Sequence, residues 1–412
     1  MIFRYIKKML LIGNEFAAIN FLLTLFGLRL GTNIFGSKSS TTGNRWFTIQ
    51  NRIGLISSLI AHSMALICVT YICAMVPGRM VAKANLVLRV MSTTIFFFAT
   101  LTKRESILRL TTDVISMMAD KKSTIITRYV DRGLTLIFSI WAIAVNSFFV
   151  YGTTHGDMVI ASVITGSDLS TMILSPALLV SLTFILFNIV VLLVYVLVTL
   201  YIFTQINLYM AMRRAECHVR RLAINSNRAT IKEVRKLYVA INKLRVKLND
   251  AIGLYPFLFI AHLFISLALQ VTDFITNRDK YGNATLQLLM VIEDIAITAH
   301  IAIMIVFSCL SEAKFDELKR HAMRMTDPSP LPVQNDFPSV MSKLSLQIEM
   351  TAQPQAPTKA LNMFNIDQAF VIKFMGALIP FIVMVITTFE QLDKDRARAD
   401  GEAKALANKL SG

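Results

Sequence analysis

Seven apolar runs of about 18 to 30 residues each divide this 412-residue chain. A helix needs roughly 20 such residues to cross about 30 Å of hydrocarbon, so each run is long enough to span a bilayer. The runs are 53–76, 84–101, 133–151, 174–203, 251–275, 286–309 and 370–389. None alternates with a period of two. Lipid offers the backbone no hydrogen-bond partner, so such spans read as helices rather than barrel strands. The expected fold is all-α: a polytopic membrane protein with a seven-helix transmembrane bundle.

The 42 Lys and Arg residues fall into alternate gaps between the runs. Seven precede the first run, seven occupy 102–132, eleven occupy 204–250 and six occupy 310–369. The intervening gaps are poor: Arg79 and Lys83 before the second run, none at all in 152–173, and Arg278 and Lys280 before the sixth. Cytoplasmic loops retain Lys and Arg, which places the rich gaps inside and the poor ones outside. The N-terminus is then intracellular and the C-terminus extracellular, with Asn283 of the lone Asn-Ala-Thr triplet in an outer gap, open to glycosylation. The net charge of +16 sits mostly on the inner side, where anionic membrane lipid accounts for it without any nucleic acid. Cys68, Cys73, Cys217 and Cys309 avoid the outer gaps, so no extracellular disulfide is expected.

This reading sets the organisation. Residues 1–52 form a cytoplasmic N-terminal segment, with 16–30 an interfacial helix and a spanning helix as the alternative. Residues 53–309 hold helices one to six, including a basic cytoplasmic helical segment at 204–250. Residues 310–369 comprise a continuation of the sixth helix and a Pro-rich loop, 370–392 the seventh helix, and 393–412 an extracellular tail. The fourth run stays uncharged to Met212, a helix too long for the bilayer alone. In 213–247, Val234, Leu237, Ile241 and Leu244 recur every three or four residues. That amphipathic stripe suits either the inner leaflet or a stalk packed against other subunits.

Two segments carry a resemblance to a known family. Residues 21–28, FLLTLFGL, are similar to the leucine-rich opening segment of the insect gustatory and odorant receptor superfamily. Residues 380–388, PFIVMVITT, fit the frame in which gustatory receptors carry Thr-Tyr, five hydrophobic residues and Gln-Phe, with Phe381 at the Tyr position and Thr387 at the Gln position. Pro and Thr replace Thr and Gln here, and Gln391-Leu392 offers a second register. Residues 254–257, LYPF, and 379–381, IPF, resemble a divergent nematode branch, the gustatory-receptor-like serpentine class R proteins. The resemblance implies a plasma-membrane chemoreceptor that recognises a small molecule, a homo- or hetero-tetramer, and a ligand-gated cation channel whose pore is lined by the seventh helix.

A charge inside a span costs several kcal/mol unless paired or wetted. Arg89 lies roughly 8 Å, and Glu293 and Asp294 roughly 10 to 12 Å, from the outer ends of their runs, depths that admit an ion pair or the rim of a ligand cavity. With Trp141, Asn146 and His300 they form the candidate pocket, although an interfacial aromatic belt and interhelical hydrogen bonds explain the same residue types. His62, Asn188 and His262 sit at similar mid-membrane levels. Lys373, near the inner end of the seventh run, reads as a snorkelling lysine. For a pore, Phe381 and Val385 supply an apolar constriction, and Thr387, Thr388 and Gln391 neutral oxygens near the outer mouth. The six histidines include no i, i+3 or i, i+4 pair, so a metal-dependent hydrolase is not indicated and no cofactor is expected. A receptor acting through a cytoplasmic partner such as a G protein, and a transporter, remain the competing classes. The inverted charge pattern and the missing Asn-Pro-x-x-Tyr stand against a conventional G-protein-coupled receptor, and Asp131-Arg132 precedes the third run rather than ending it.

Overall fold

The computed structural model describes residues 17–28, 30, 41–75, 80–117, 121–154, 176–222, 228–262, 284–325, 337–352, 359–360 and 364–365, and positions 369, 372, 373, 376, 377, 380, 383, 384, 387, 391, 394 and 398 of a final helix. In chain order the helices are α1 (Ala17–Leu25), α2 (Thr41–Met75), α3 (Met80–Met117), α4 (Lys121–Thr154), α5 (Pro176–Leu222), α6 (Arg228–Ile252), α7 (254–262), α8 (Ala284–Arg324), α9 (Phe337–Ala352) and α10, which carries the positions between 369 and 398. The only strands among the described residues are β1 (Lys359–Ala360) and β2 (Phe364–Asn365), an antiparallel pair in which Lys359 faces Asn365. The chain is an all-α polytopic membrane protein.

α2, α3, α4, α5 and α8 each continue well past their apolar run at the basic end. α5 has 47 residues, about 70 Å at 1.5 Å per residue, more than twice the hydrocarbon thickness. It starts on Pro176, whose missing N–H costs nothing in a first turn. From Leu193 to Gln205 it is buried on every face, because α3, α4 and α8 pack around it. A helix apolar all round suits that central position. By contrast α2 and α4 each turn a stripe of Ile and Leu outward, including Ile53, Ile56, Ile60 and Ile67 on α2 and Leu136, Ile140 and Ile143 on α4.

The apolar stripe of the amphipathic segment packs within its own chain. α6 buries Ile231, Val234, Tyr238, Ile241, Leu244 and Leu248 within its own chain, against α3, α5, α8 and α9. Five ties hold it there: His218 to Glu233, Lys247 to Asp113, Arg245 to Glu312, Lys103 Nζ to the Asp250 carbonyl, and Arg245 stacked on Phe315. The Pro-rich loop is also interrupted. α9 occupies Phe337–Ala352, with Pro338 in its first turn, where proline is tolerated, and buries Leu346 and Met350 toward α6. Ala360 and Phe364 pair in the β-ribbon.

α1 is nine residues long, about 14 Å, less than half the hydrocarbon thickness. Its start is capped by a distant side chain: the Asp131 carboxylate accepts from the amides of Ala18 at 2.9 Å and Ile19 at 3.1 Å. These are orphan donors of a helix N-terminus, which favours a negative charge. The helix ends at Gly27, whose φ of +71° suits glycine, and the amides of Phe26, Gly27 and Leu28 bond back to Leu23 and Thr24. Asn20 then clamps the returning chain, accepting from the Leu30 amide at 2.8 Å.

Candidate functional site

Two of the pocket residues expected from the sequence converge on a third that sequence reasoning missed. Trp141 of α4 lies 4.1 Å from Tyr195 of α5, centroid to centroid, and His300 of α8 meets the same Tyr195 ring edge-on at 5.2 Å. Phe138, one turn before Trp141, adds a fourth ring at 6.2 Å. Three helices thus contribute aromatic walls at one level of the bundle. The indole N–H of Trp141 is buried and has no hydrogen-bond acceptor. A buried donor without a partner costs on the order of 1–3 kcal/mol. Tyr195 shows only as one aromatic in an apolar run; its role is fixed by helix packing, which no spacing rule reveals.

Arg89, Asn146, Glu293 and Asp294 lie outside the described side chains, and so does Asn188; Asn283, Phe381, Val385 and Thr388 lie outside the described residues. The mid-membrane histidines divide. His262 of α7 bonds Ser92 of α3 across helices at 2.8 Å, as the hydrogen-bonding explanation requires. His62 turns instead to its own helix, through the Ser58 carbonyl at 2.7 Å, and stacks on Phe97 of α3 at 4.8 Å.

Toward the basic end, polar side chains link α5, α8 and α6 in sequence. Gln205 Nε2 donates to Tyr201 at 2.9 Å, and the Tyr201 hydroxyl lies 3.3 Å from Ser308 Oγ. One turn further on α8, Glu312 pairs with Arg245 of α6. The Arg245 side chain is 3% exposed, with its guanidinium carbon 3.8 Å over the Phe315 ring and Tyr238 stacked on that ring at 5.5 Å. Burial pushes the Tyr238 phenol above its ordinary range, against the pull of Arg245. Near the far end of α8, His321 stands 3.5 Å from Glu216 of α5. Lys314 is raised and Glu317 lowered, each chiefly by the hydrogen bond between them. Among the described residues no group of three His, Cys, Asp or Glu side chains could hold a metal ion.

On α10 every described position is exposed: Ala369, Ile372, Lys373, Gly376, Ala377, Pro380, Val383, Met384, Thr387, Gln391, Lys394 and Arg398. They recur every three or four residues and so form one stripe along the helix. Thr387 bonds back to its own helix, through the carbonyls of Val383 and Met384.

A bundle with a long buried central helix, helical extensions at one end and an aromatic cluster among three helices defines a class, the polytopic helical membrane proteins. Its fold is similar to that of the insect olfactory receptor OR5 from Machilis hrabei, with a TM-score of 0.61 and 8% identity over 94% of this chain and 98% of that one. The same receptor in complex with eugenol matches at 0.61 and 8% identity over 90% and 97%. No curated protein matches the chain in sequence. The model of the 7tm chemosensory receptor family matches residues 19–388, and the chain belongs to that family. It is a membrane chemoreceptor, not an enzyme.

Proposed function

We propose that this chemoreceptor is a ligand-gated cation channel of the plasma membrane, assembled from four subunits, with α10 of each lining a central pore. What supports this most directly is the exposed stripe of α10. A helix that turns Ile372 (75% exposed), Val383 (54%) and Met384 (55%) outward beside Gly376, Thr387 and Gln391 mixes apolar and polar residues on one face. Lipid disfavours the polar members of such a face. A pore uses both kinds, apolar residues to exclude water when closed and hydroxyl or amide groups to receive ions. Phe381, Val385 and Thr388 belong to the same proposed passage.

The proposed ligand site lies at Trp141, Tyr195 and His300, with Arg89, Asn146, Glu293 and Asp294 around it. Aromatic walls and one unpaired buried donor suit a small, largely apolar molecule carrying a hydrogen-bond acceptor. The eugenol bound by the olfactory receptor OR5 has that character, so eugenol is a reasonable first probe. The proposed orientation is that of the charge pattern: residues 1–52 and 310–369 inside, 393–412 outside and Asn283 accessible to glycosylation. Patch recording from cells expressing the full chain, with a panel of small aromatic compounds, tests the reading. Currents that vanish in Tyr195→Ala while surface expression persists are expected. Ligand binding to purified protein without any current across a bilayer would remove the channel assignment.

A further inference from the structure

Three buried polar atoms where α5, α6 and α8 meet have no hydrogen-bond partner within the protein: Gln205 Oε1, Ser311 Oγ and Arg245 Nη1. Folded proteins leave few such groups, because each forfeits the water it had in the unfolded chain. Local rearrangement does not supply the partners. Thr100, Thr111, Thr199, Thr204 and Ser308 all give their hydroxyls to the carbonyl one turn back in their own helices. Ser311 does not, so its hydroxyl is left to the space between helices. Turning the Gln205 amide end for end exchanges an orphan oxygen for an orphan nitrogen, since only one of the two reaches Tyr201. Arg245 meets Glu312 through Nη2, which leaves Nη1 over.

The three atoms belong to one level of the bundle. Tyr201 touches Ser308 and Glu216 touches His321, so α5 and α8 run side by side in the same direction. One turn beyond the first of these contacts lie Gln205 and Ser311, and Glu312, next to Ser311, brings in Arg245 of α6. We infer that Gln205, Ser311 and Arg245 form a binding site for a buried water molecule that bridges the three helices. Their chemistry selects it. The guanidinium of Arg245 repels a cation, and the Gln205 carbonyl with the Glu312 carboxylate repels an anion. What remains is a small neutral molecule that accepts from Arg245, donates to Gln205 and uses its other hydrogen or lone pair on Ser311. Water does all three, and about three hydrogen bonds is the usual number for a buried one. The bridge ties α5, which carries Tyr195 of the proposed ligand site, to α8 and α6 by a link additional to the Arg245 to Glu312 pair. It stands whether or not α10 lines a pore.

X-ray hydroxyl-radical footprinting of the full-length receptor in detergent tests this without a stimulus, because radiolysis of a bound water releases the radical beside buried side chains. Tyr201 and Tyr255 are both fully buried, but the Tyr255 hydroxyl meets Thr100 at 2.8 Å, on the contact of α3 with α7. Tyr129, 70% exposed, reports bulk solvent. Tyr201 is expected to be oxidised several-fold faster than Tyr255 and more slowly than Tyr129. Ser311→Ala with Gln205→Leu should bring it down to the Tyr255 rate. A parent Tyr201 rate no greater than that of Tyr255 overturns the inference, and so does one equal to that of Tyr129, which means open solvent rather than a held water. If the double variant does not fold, a density map of the parent at a resolution that shows ordered waters decides. A peak within hydrogen-bond distance of all three atoms is expected there, and direct bonds between those atoms with no peak overturn the site.

Discussion

Replacing Gly27 or Gly54 by alanine tests how the N-terminal helix is held. The two glycines mark the closest approach of α1 to α2. A Cβ on Gly27 would lie 2.2 Å from the Leu55 backbone nitrogen and 2.3 Å from its Cα, and the residue sits at φ +71°. On Gly54 it would meet the carbonyl oxygens of Leu25 and Thr24, both at 2.7 Å, and the Gly27 nitrogen at 2.8 Å. All these obstacles except one Leu55 side-chain atom are backbone, so no rotamer change relieves them. The left-handed conformation costs an alanine about 1 kcal/mol, and forced separation of a packed contact about 1–3 more. Gly27→Ala should thus destabilise by about 2–4 kcal/mol, and Gly54→Ala, in ordinary helical geometry, by about 1–3. Gly133 is the internal control: it lies in α4 with nothing within 4 Å of its virtual Cβ. Alanine there should stabilise by up to about 1 kcal/mol through helix propensity alone. Thermal unfolding of the detergent-solubilised receptor, followed by its size-exclusion peak, ranks the three. Equal midpoints for Gly27→Ala and Gly133→Ala would refute the close packing of α1 on α2.

Asp131→Ala should cost about 1–2 kcal/mol by removing the cap of α1, visible as a lowered midpoint in the same assay. Burial raises the Asp131 carboxyl from 3.8 to about 6 in the folded protein, against the opposing bonds to Ala18 and Ile19. A folded value above the unfolded one means that protonation favours folding. Stability from this group is therefore greatest below pH 4 and is lost as pH rises through 6, a dependence that Asp131→Asn should abolish. Arg245→Ala strands the Glu312 carboxylate beside an apolar cluster and should cost about 3–5 kcal/mol, whereas Arg245→Met with Glu312→Leu should fall near the parent; a double-mutant cycle of melting midpoints checks both. Trp141→Phe removes a buried donor that has no acceptor, so stability should hold or rise slightly while affinity for acceptor-bearing aromatic compounds falls, measured by ligand-induced shifts in melting.

Much of the fold is written in hydropathy. The long fourth helix, the continuation of the sixth toward Arg324 and the helical character of 228–252 follow from local pattern, because uninterrupted apolar or three-four periodicity has few other solutions. Partnership does not follow from pattern. The stripe Val234, Ile241, Leu244 looks identical whether it faces lipid, another subunit or its own chain, and only the positions of Asp113, Glu312 and His218 on three other helices decide. Proline spacing misled at 337–352 because proline in a first turn and proline in a helix interior read alike in a sequence. Asp131 looked like a misplaced receptor motif; its partners, the amides of Ala18 and Ile19, lie more than a hundred residues away. Trp141 and His300 were legible as an aromatic and a histidine in apolar surroundings. Tyr195, which joins them, was not.

That tyrosine also shows how one end of the bundle is connected to the other. α5 and α8 touch through aromatic or polar pairs at successive levels, Tyr195 with His300, Tyr201 with Ser308 and Glu216 with His321, while Glu312 of α8 pairs with Arg245 of α6. From His300 to Glu312 is twelve residues, about 18 Å along a single continuous helix. A helix of that kind has no internal hinge to absorb a displacement. A rotation of α8 large enough to admit a molecule between Tyr195 and His300 must therefore also alter the Tyr201 to Ser308 contact and the pairing of Glu312 with Arg245. Because Arg245 is itself buried on Phe315, it cannot follow by swinging through solvent; α6 must move with it or the ion pair must break. Breaking it costs several kcal/mol, more than a weakly bound small molecule supplies. Concerted movement of α6 with α8 is the cheaper path, and α6 leads through Gly253 into α7, which Ser92 and Thr100 tie to α3.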